Sequence, residues 1–309
     1  MYRYIHAEKA RDASANIAVM CRVLGVSRSG YYGWVGRQLS PPTGRAAADQ
    51  QLLEQIRHVH ARFSYYGSPR IHQHLLIAAG HAYQTSHSAV AAGHRPRLGR
   101  RRVARLMRDH GIRARIGKIK SRPRSAPPKR RPEIGDQVQR QFQAVDPNEL
   151  WFTDITQIRT GQGWLYAAVI LDAFNREVIS WATAAQDNLD TAVDALAEAI
   201  RIRRPDPGTI IHSDRGYQFT SAAWLDLARS KGLVVSIGER KDCFDNAVME
   251  SWLGSFKTEV LYPNGQPATR TQARTQLFQY IWDYNTHRLH STLGYVSPKY
   301  YAQHASTCP

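Results

Sequence analysis

Cysteine, long apolar runs and, over one stretch, acid are what this 309-residue sequence has little of. Its 3 cysteines, Cys21, Cys243 and Cys308, form no C-x-x-C pair and no even-numbered framework, so neither a disulfide scaffold nor a cysteine-based zinc site is indicated. His58, His60, His72 and His74 lie close in sequence, but no cysteine stands near to complete a zinc site. No apolar run reaches the ~20 residues of a membrane span, and Met1-Tyr-Arg-Tyr-Ile-His lacks the apolar centre of a secretion signal. A reducing cytoplasm is the expected compartment, with no membrane partner. No internal repeat is present.

Acid is nearly missing from Arg95 to Arg131, where 16 Lys/Arg face a single carboxylate, Asp109. That stretch therefore holds +15 of the formal net charge of +17, and the remainder is close to neutral. So dense a basic run repels itself unless something neutralises it, and it points to a polyanion rather than to a merely solvated face. Lys and Arg that neutralise phosphates release condensed counterions, so binding of this kind is salt-sensitive.

Residues 16 to 36 read as two short helices. Ile17, Val19, Met20, Val23 and Leu24 recur at helical spacing, Gly25-Val26-Ser27 breaks the pattern, and Ser27 caps a second helix with Tyr31, Tyr32 and Trp34. This is helix-turn-helix spacing, equally that of a plain helical hairpin. A second helical unit runs from Ala46 to Ile116, with Leu52, Leu53, Ile56 and Val59 on one face and Ser68-Pro69 expected to cap the helix Arg70 to Ala79. In its last helix Val103, Leu106 and Met107 form an apolar stripe, leaving Arg100, Arg101, Arg102, Arg105 and Arg108 to other faces, as suits a helix laid on DNA. Residues 81 to 98 read as a polar loop.

Ser121 to Asn148 carries five prolines and few large apolar residues, and reads as an extended linker. Beyond it the pattern turns to short strands: Leu150 to Ile158, Trp164 to Asp172 and Val178 to Thr183, joined by hairpin-length spacers. A helix Leu189 to Arg203, a strand Thr209 to His212, a helix Ser221 to Lys231, a strand Leu233 to Ile237 and a helix Asp245 to Leu261 follow. Leu277, Phe278, Ile281 and Trp282 mark one more amphipathic helix. A three-strand meander followed by helix, strand, helix, strand, helix is the order of a ribonuclease-H-like α/β fold: a mixed five-stranded sheet with flanking helices, here preceded by helical DNA-binding units. The expected divisions are 1–44, 45–120, a linker 121–148, a catalytic core 149–265 and a C-terminal helix and tail 266–309.

Asp154 falls mid-strand among apolar neighbours, Asp214 closes a strand, and Glu250 follows 35 intervening residues later on a helix. If that helix crosses the first strand, the three carboxylates converge and need cations to remain ionised. Mg²⁺ or Mn²⁺ suits oxygen ligands, and two ions ~3.5–4 Å apart would serve in-line displacement at phosphorus. Three acids among 25 mean little by spacing alone. Asn246, Glu250 and Lys257 share one helix face, so Lys257 could reach a phosphate or pair with an exposed acid. Arg215 and Gly216 either admit DNA or simply turn the chain, and Trp252 and Phe256 are expected in the core.

Several runs together carry a resemblance: Tyr66-Gly-Ser-Pro-Arg-Ile71, Arg101-Arg-Val-Ala-Arg-Leu-Met107, Trp151-Phe-Thr-Asp-Ile-Thr156, His212-Ser-Asp-Arg-Gly216, Asp245-Asn-Ala-Val-Met-Glu-Ser251, and Tyr284-Asn with Arg288 and His290-Ser-Thr-Leu-Gly-Tyr-Val-Ser-Pro298. In this order the sequence resembles the second-frame transposases of IS3-family insertion sequences, within the DDE transposase and retroviral integrase superfamily. The resemblance implies that Asp154, Asp214 and Glu250 are catalytic metal ligands. It implies cleavage of DNA at the element ends, strand transfer by the freed 3′-OH without a covalent protein intermediate, and a joined or circular product. Double-stranded DNA, a homo-oligomeric synaptic complex and nucleoid association go with it. The sequence has no heptad zipper, a feature of the first-frame protein, so a first-frame partner or frameshift fusion is also expected. Two rivals are a catalytically silent DNA-binding descendant and, from the H-x-x-R at His212 to Arg215, a tyrosine recombinase. The run Glu239 to Phe244 departs from the family pattern and puts loop contacts in doubt.

Overall fold

The computed structural model describes residues 1–39, 44–80, 98–116, 134–139, 141–238 and 246–305. The expected loop over 81–97, the proline-rich run through 133, the Glu239–Phe244 loop and Asp245 lie outside them.

The chain opens with α1 (Tyr2–Arg11), α2 (Ile17–Val23) and α3 (Arg28–Leu39). The expected two-helix unit is α2 and α3, and Ser27 does cap, its Oγ accepting from Gly30 N at 3.0 Å. Helix α1 has no mark in the sequence, because it buries a single residue, Ile5, and so leaves no periodic apolar signal. Ile5 packs with Cys21 and Tyr31 in a small core of its own. Gly30 permits this, since a Cβ there would collide with the Tyr2 hydroxyl.

A second bundle follows: α4 (Gly44–Arg62), α5 (Ser68–Ala78) and α6 (Arg100–Asp109). Its core is Leu52, Ile56, Val59, Phe63, Tyr66, Ile71, Leu75, Val103, Leu106 and Met107, and it takes in Leu289 from far along the chain. Helix α5 starts earlier than expected. Extended Gly67 is its cap, and Ser68 and Pro69 form the first turn, where the fixed φ of proline fits.

The sheet has strand order β3-β2-β1-β4-β5, from β1 (Leu150–Thr160), β2 (Gly163–Asp172), β3 (Val178–Ala184), β4 (Ile210–Ser213) and β5 (Val234–Ile237). Strands β1, β2 and β3 form an antiparallel meander, while β4 pairs in parallel with β1 and β5 with β4. The fold is therefore the mixed five-stranded sheet that the element order implied. Both faces are covered. Trp151, Ala168, Ile170 and Ile211 face α7 (Asp190–Arg203) and α8 (Ala222–Ser230), and the latter is capped by Ser221 Oγ accepting from Trp224 N. Phe152, Ile158, Leu165, Val169 and Leu171 face α9 (Ala247–Phe256) and α10 (Arg270–Thr286).

Helix α9 does not stop at Phe256. It runs on through a π-helical turn, Lys257–Leu261, into Tyr262–Asn264. On α10, Leu277 and Ile281 enter the core, but Phe278 and Trp282 are each 53% exposed, so the expected four-residue apolar face is half buried and half outward. A last helix, α11 (Pro298–His304), packs on α10.

The expectation of an extended linker over 121–148 does not hold for its described residues, 134–139 and 141–148. Val138 is buried in the α9 face of the core, Phe142 meets the Phe152 ring at 5.9 Å, and Ile237 N donates to Gly135 O. A sparse apolar content was enough because the sheet already offered a free edge and an open face on which these few residues could dock.

Candidate active site and nucleic-acid interface

Register brings two of the acids together. In the parallel β1–β4 pair Phe152 stands opposite His212, with their rings 5.8 Å apart. Side chains alternate along a strand, so two residues further on Asp154 and Asp214 follow on the same face, the face that α9 covers. Burial first, then Asp214 beside it and to a lesser extent Glu250, push the Asp154 carboxyl up to about 8, against a hydrogen bond from Ile155 N (2.7 Å) and the charge of Lys257, which work the other way. Asp214 sits where β4 runs out, accepting from Gly216 N at 2.8 Å.

The third acid arrives on α9. Asn246 Nδ2 donates to Thr153 O at 3.1 Å, pinning the start of α9 to the strand residue next to Asp154. One turn later Glu250 is exposed on the helix surface. Lys257 opens the π-helical turn, and its charge acts on Asp154. The charge of Glu250 also acts on Asp154, as the smallest of the influences on it. Among the described residues, however, no three His, Cys, Asp or Glu side chains are drawn close enough to grip a metal ion. The donor set nevertheless fits a hard divalent cation: it is all carboxylate oxygen, and a cation would relieve the like-charge burden on the half-buried Asp154.

Arg215 Nε donates to Gly238 O at 2.9 Å, tying the loop after β4 to the end of β5. Asn246, expected near DNA, is buried against β1. Trp252 and Phe256 are in the core, as expected.

Helix α6 shows the expected apolar back, with Val103, Leu106 and Met107 buried. Its arginines divide. Arg102 and Arg105 both reach Asp49 on α4, at 2.6 and 2.5 Å, and Arg105 also bonds Asp109. Arg100, Arg101 and Arg108 remain on the exposed side. Of the four histidines, His60 and His72 bond backbone carbonyls, and His74 packs on Phe63.

Two groups on the elements that carry the acids make contacts that local sequence does not mark. Fully buried His212 bonds Ser236 Oγ through Nδ1 at 2.8 Å, with Asp136 3.7 Å from the same nitrogen, so three distant segments lock β4 just before Asp214. Glu259, on the π-helical turn, is gripped by Arg288 through two bonds of 2.6 and 3.0 Å.

Comparison with known proteins agrees with this architecture. Two integrase core domain models match residues 144–243 and 231–298, and an HTH-like domain model matches 47–120. Together they define a DNA-strand-processing core of the integrase class with a helical DNA-binding unit ahead of it. The chain is 33% identical over 301 residues to the transposase InsF of insertion sequence IS3A from Escherichia coli K12, covering 96% of this chain and 97% of that protein. It is also 33% identical to a 31 kDa protein of insertion element IS600 from Shigella sonnei, covering 90% and 96%. Among solved structures, a simian T-cell lymphotropic virus intasome matches at 16% identity over 77% of this chain and 76% of that one, with a TM-score of 0.45. The chain belongs to the IS3-family transposases, DDE-type polynucleotidyl transferases.

Proposed function

We propose that Asp154, Asp214 and Glu250 are the metal-holding acids of this transposase and that it cleaves DNA at insertion-element ends and joins the freed 3′-OH to a second phosphate. The observation that supports this best is the convergence on Asp154: an acid raised to about 8 by burial and Asp214, with Glu250 and Lys257 acting on it from α9. The acids would hold Mg²⁺ or Mn²⁺, two ions per site. Such a pair activates the attacking oxygen and stabilises the leaving one in an in-line displacement.

The residues of the chain have separable tasks. Asp154 and Asp214 present fixed oxygens from adjacent strands, and Glu250 supplies the third from α9. Lys257, whose charge acts on Asp154, would hold a phosphate near the cut. Arg100, Arg101 and Arg108 hold the DNA backbone, leaving Arg102 and Arg105 to brace α6 against α4 through Asp49. Water attacks the phosphodiester first, releasing the 3′-OH, and that hydroxyl then attacks another phosphodiester. Bringing two ends together calls for a homo-oligomer of at least two copies, with or without the first-frame protein. The division into helical units over 1–44 and 45–120 and a catalytic core over 149–265 assigns delivery of DNA to the former and chemistry to the latter.

The test is strand transfer on end DNA with Mg²⁺. Asp154→Asn, Asp214→Asn and Glu250→Gln should each reduce cleavage by at least about 10³-fold while end-DNA binding persists. Strand transfer retained in Asp214→Asn or Glu250→Gln would remove that acid from the set. A covalent protein–DNA adduct in EDTA would favour the tyrosine recombinase reading instead.

A further inference from the structure

Two of the sequence runs that the catalytic acids leave unused, Tyr66 to Ile71 and Tyr284 to Pro298, meet in the fold. They meet around Glu259. Arg288, 3% exposed, holds both Glu259 oxygens, and its guanidinium lies 6.0 Å from the Tyr65 ring and 5.6 Å from that of Tyr284. Arg70 approaches the same carboxylate at 4.0 Å while its Nε donates to Leu289 O at 3.1 Å. Leu289 N donates to the Tyr66 hydroxyl at 2.8 Å, and the Leu289 side chain enters the core of the helical bundle. Tyr280 closes the remaining side with its hydroxyl 3.5 Å from Glu259.

Each arm of this cluster leads somewhere. Arg70 lies in the first turn of α5, which packs on the arginine-rich α6. Glu259 lies on the unbroken continuation of α9, nine residues beyond Glu250 and two beyond Lys257. A π-helical turn is an adjustable segment of a helix and is frequent at functional sites. A carboxylate held in a fork of two bonds fixes the rotation of the helix that carries it, which a purely apolar contact would not. Glu250 is exposed on the same helix, so its place relative to Asp154 and Asp214 follows from how α9 and its continuation are held.

We propose that Glu259 and Arg70 are positioning residues: DNA held by the helical bundle turns α9 through the Arg70–Glu259–Arg288 cluster and brings Glu250 and Lys257 into register with Asp154 and Asp214. The inference rests on the acid assignment made above. It means that the site closes on end DNA rather than on metal alone, so that unbound protein is a poor nuclease.

The experiment is amide hydrogen exchange of residues 247–261 in the full chain, with and without end DNA, alongside binding affinity and Mg²⁺-dependent cleavage of the same DNA. In the wild type, end DNA should slow exchange over 247–261. In Glu259→Gln and in Arg70→Gln the affinity should stay within about twofold, the DNA-induced slowing should disappear, and cleavage should fall at least about tenfold, since small misplacements of catalytic groups cost this much or more. Arg70 is only partly buried, so its variant reads the coupling even if Glu259→Gln does not fold. Slowing that survives in a folded, DNA-binding variant overturns the positioning role while the acid assignment stands. Loss of the positioning role and of the acid assignment together would show as wild-type protein that binds end DNA without cutting it.

Discussion

Asp154 shows how little a residue type says before its neighbours are known. An aspartate in mid-strand is costly, because burial disfavours its charge, and the pairing of Phe152 with His212 makes it costlier by placing Asp214 next to it. Both identities are plain in the sequence, whereas their adjacency is a property of parallel strand register. Asn246 illustrates the reverse. Its place in a run with Glu250 suggests a DNA-facing role, yet it is buried and spans to Thr153 O. Asn246→Ala should therefore destabilise the protein by about 1–3 kcal/mol, measured by urea denaturation, because a buried carbonyl loses its donor. His290 provides a pH signature. Burial, then Arg288, Arg70 and Arg176, hold its imidazole well below the usual histidine range, so it is neutral in the fold and accepts from Arg288 Nη1 at 3.3 Å. Its stabilising share is full above the unfolded pKa of about 6.5 and is lost as pH falls from there toward the lower folded value. Unfolding free energy should thus drop between pH 7 and pH 5, and His290→Gln should flatten that slope.

At the level of the element, α6 carries the clearest division between what periodicity reveals and what it conceals. Its buried stripe was legible because Val103, Leu106 and Met107 recur at helical spacing. Which arginines face outward was not, because Asp49 lies 53 residues from Arg102 and nothing local marks them as partners. Two variants, one double and one single, should accordingly behave differently. Arg101→Ala with Arg108→Ala should weaken end-DNA binding and reduce the salt slope by about 0.9 for each phosphate no longer neutralised, at unchanged melting temperature. Asp49→Asn should lower the melting temperature, because it leaves Arg102 and Arg105 without their carboxylate, and should alter the slope little. Scanning calorimetry and binding titrations over a salt series separate the two. The same contrast applies to α10, whose Leu277 and Ile281 are buried while Phe278 and Trp282 face outward: apolar content identified the helix, not its inner face.

For the molecule as a whole, the decisive contact is the one that joins the helical bundle to the catalytic sheet. Leu289 completes the bundle core, Arg115 Nη2 donates to Pro263 O at 2.6 Å, and Tyr66, Arg70, Glu259 and Arg288 share one cluster. A fragment beginning at residue 134 would uncover Leu289 and the Glu259–Arg288 pair, so its core should melt below that of the full chain. Deleting residues 1–39, whose Ile5, Cys21 and Tyr31 form a separate core, should leave the melting of the rest nearly unchanged. Differential scanning calorimetry on the two fragments compares them directly. Among the described residues no helix is long and apolar enough to cross a membrane.

The order of the five strands and of the helices between them, the apolar stripe of α6 and the concentration of positive charge were determined by the sequence alone, because each is written in local periodicity and composition. The family followed from motifs that stand in order along nearly the whole chain. Tertiary structure alone decided that Asp154 and Asp214 are neighbours, that Asp49 claims two of the arginines, that part of a proline-rich stretch docks on the sheet, and that Arg70 meets Glu259. These are pairings between segments tens to hundreds of residues apart. Local propensity carries no information about such pairings, since they are set by strand register and by which surfaces the packed elements leave facing one another.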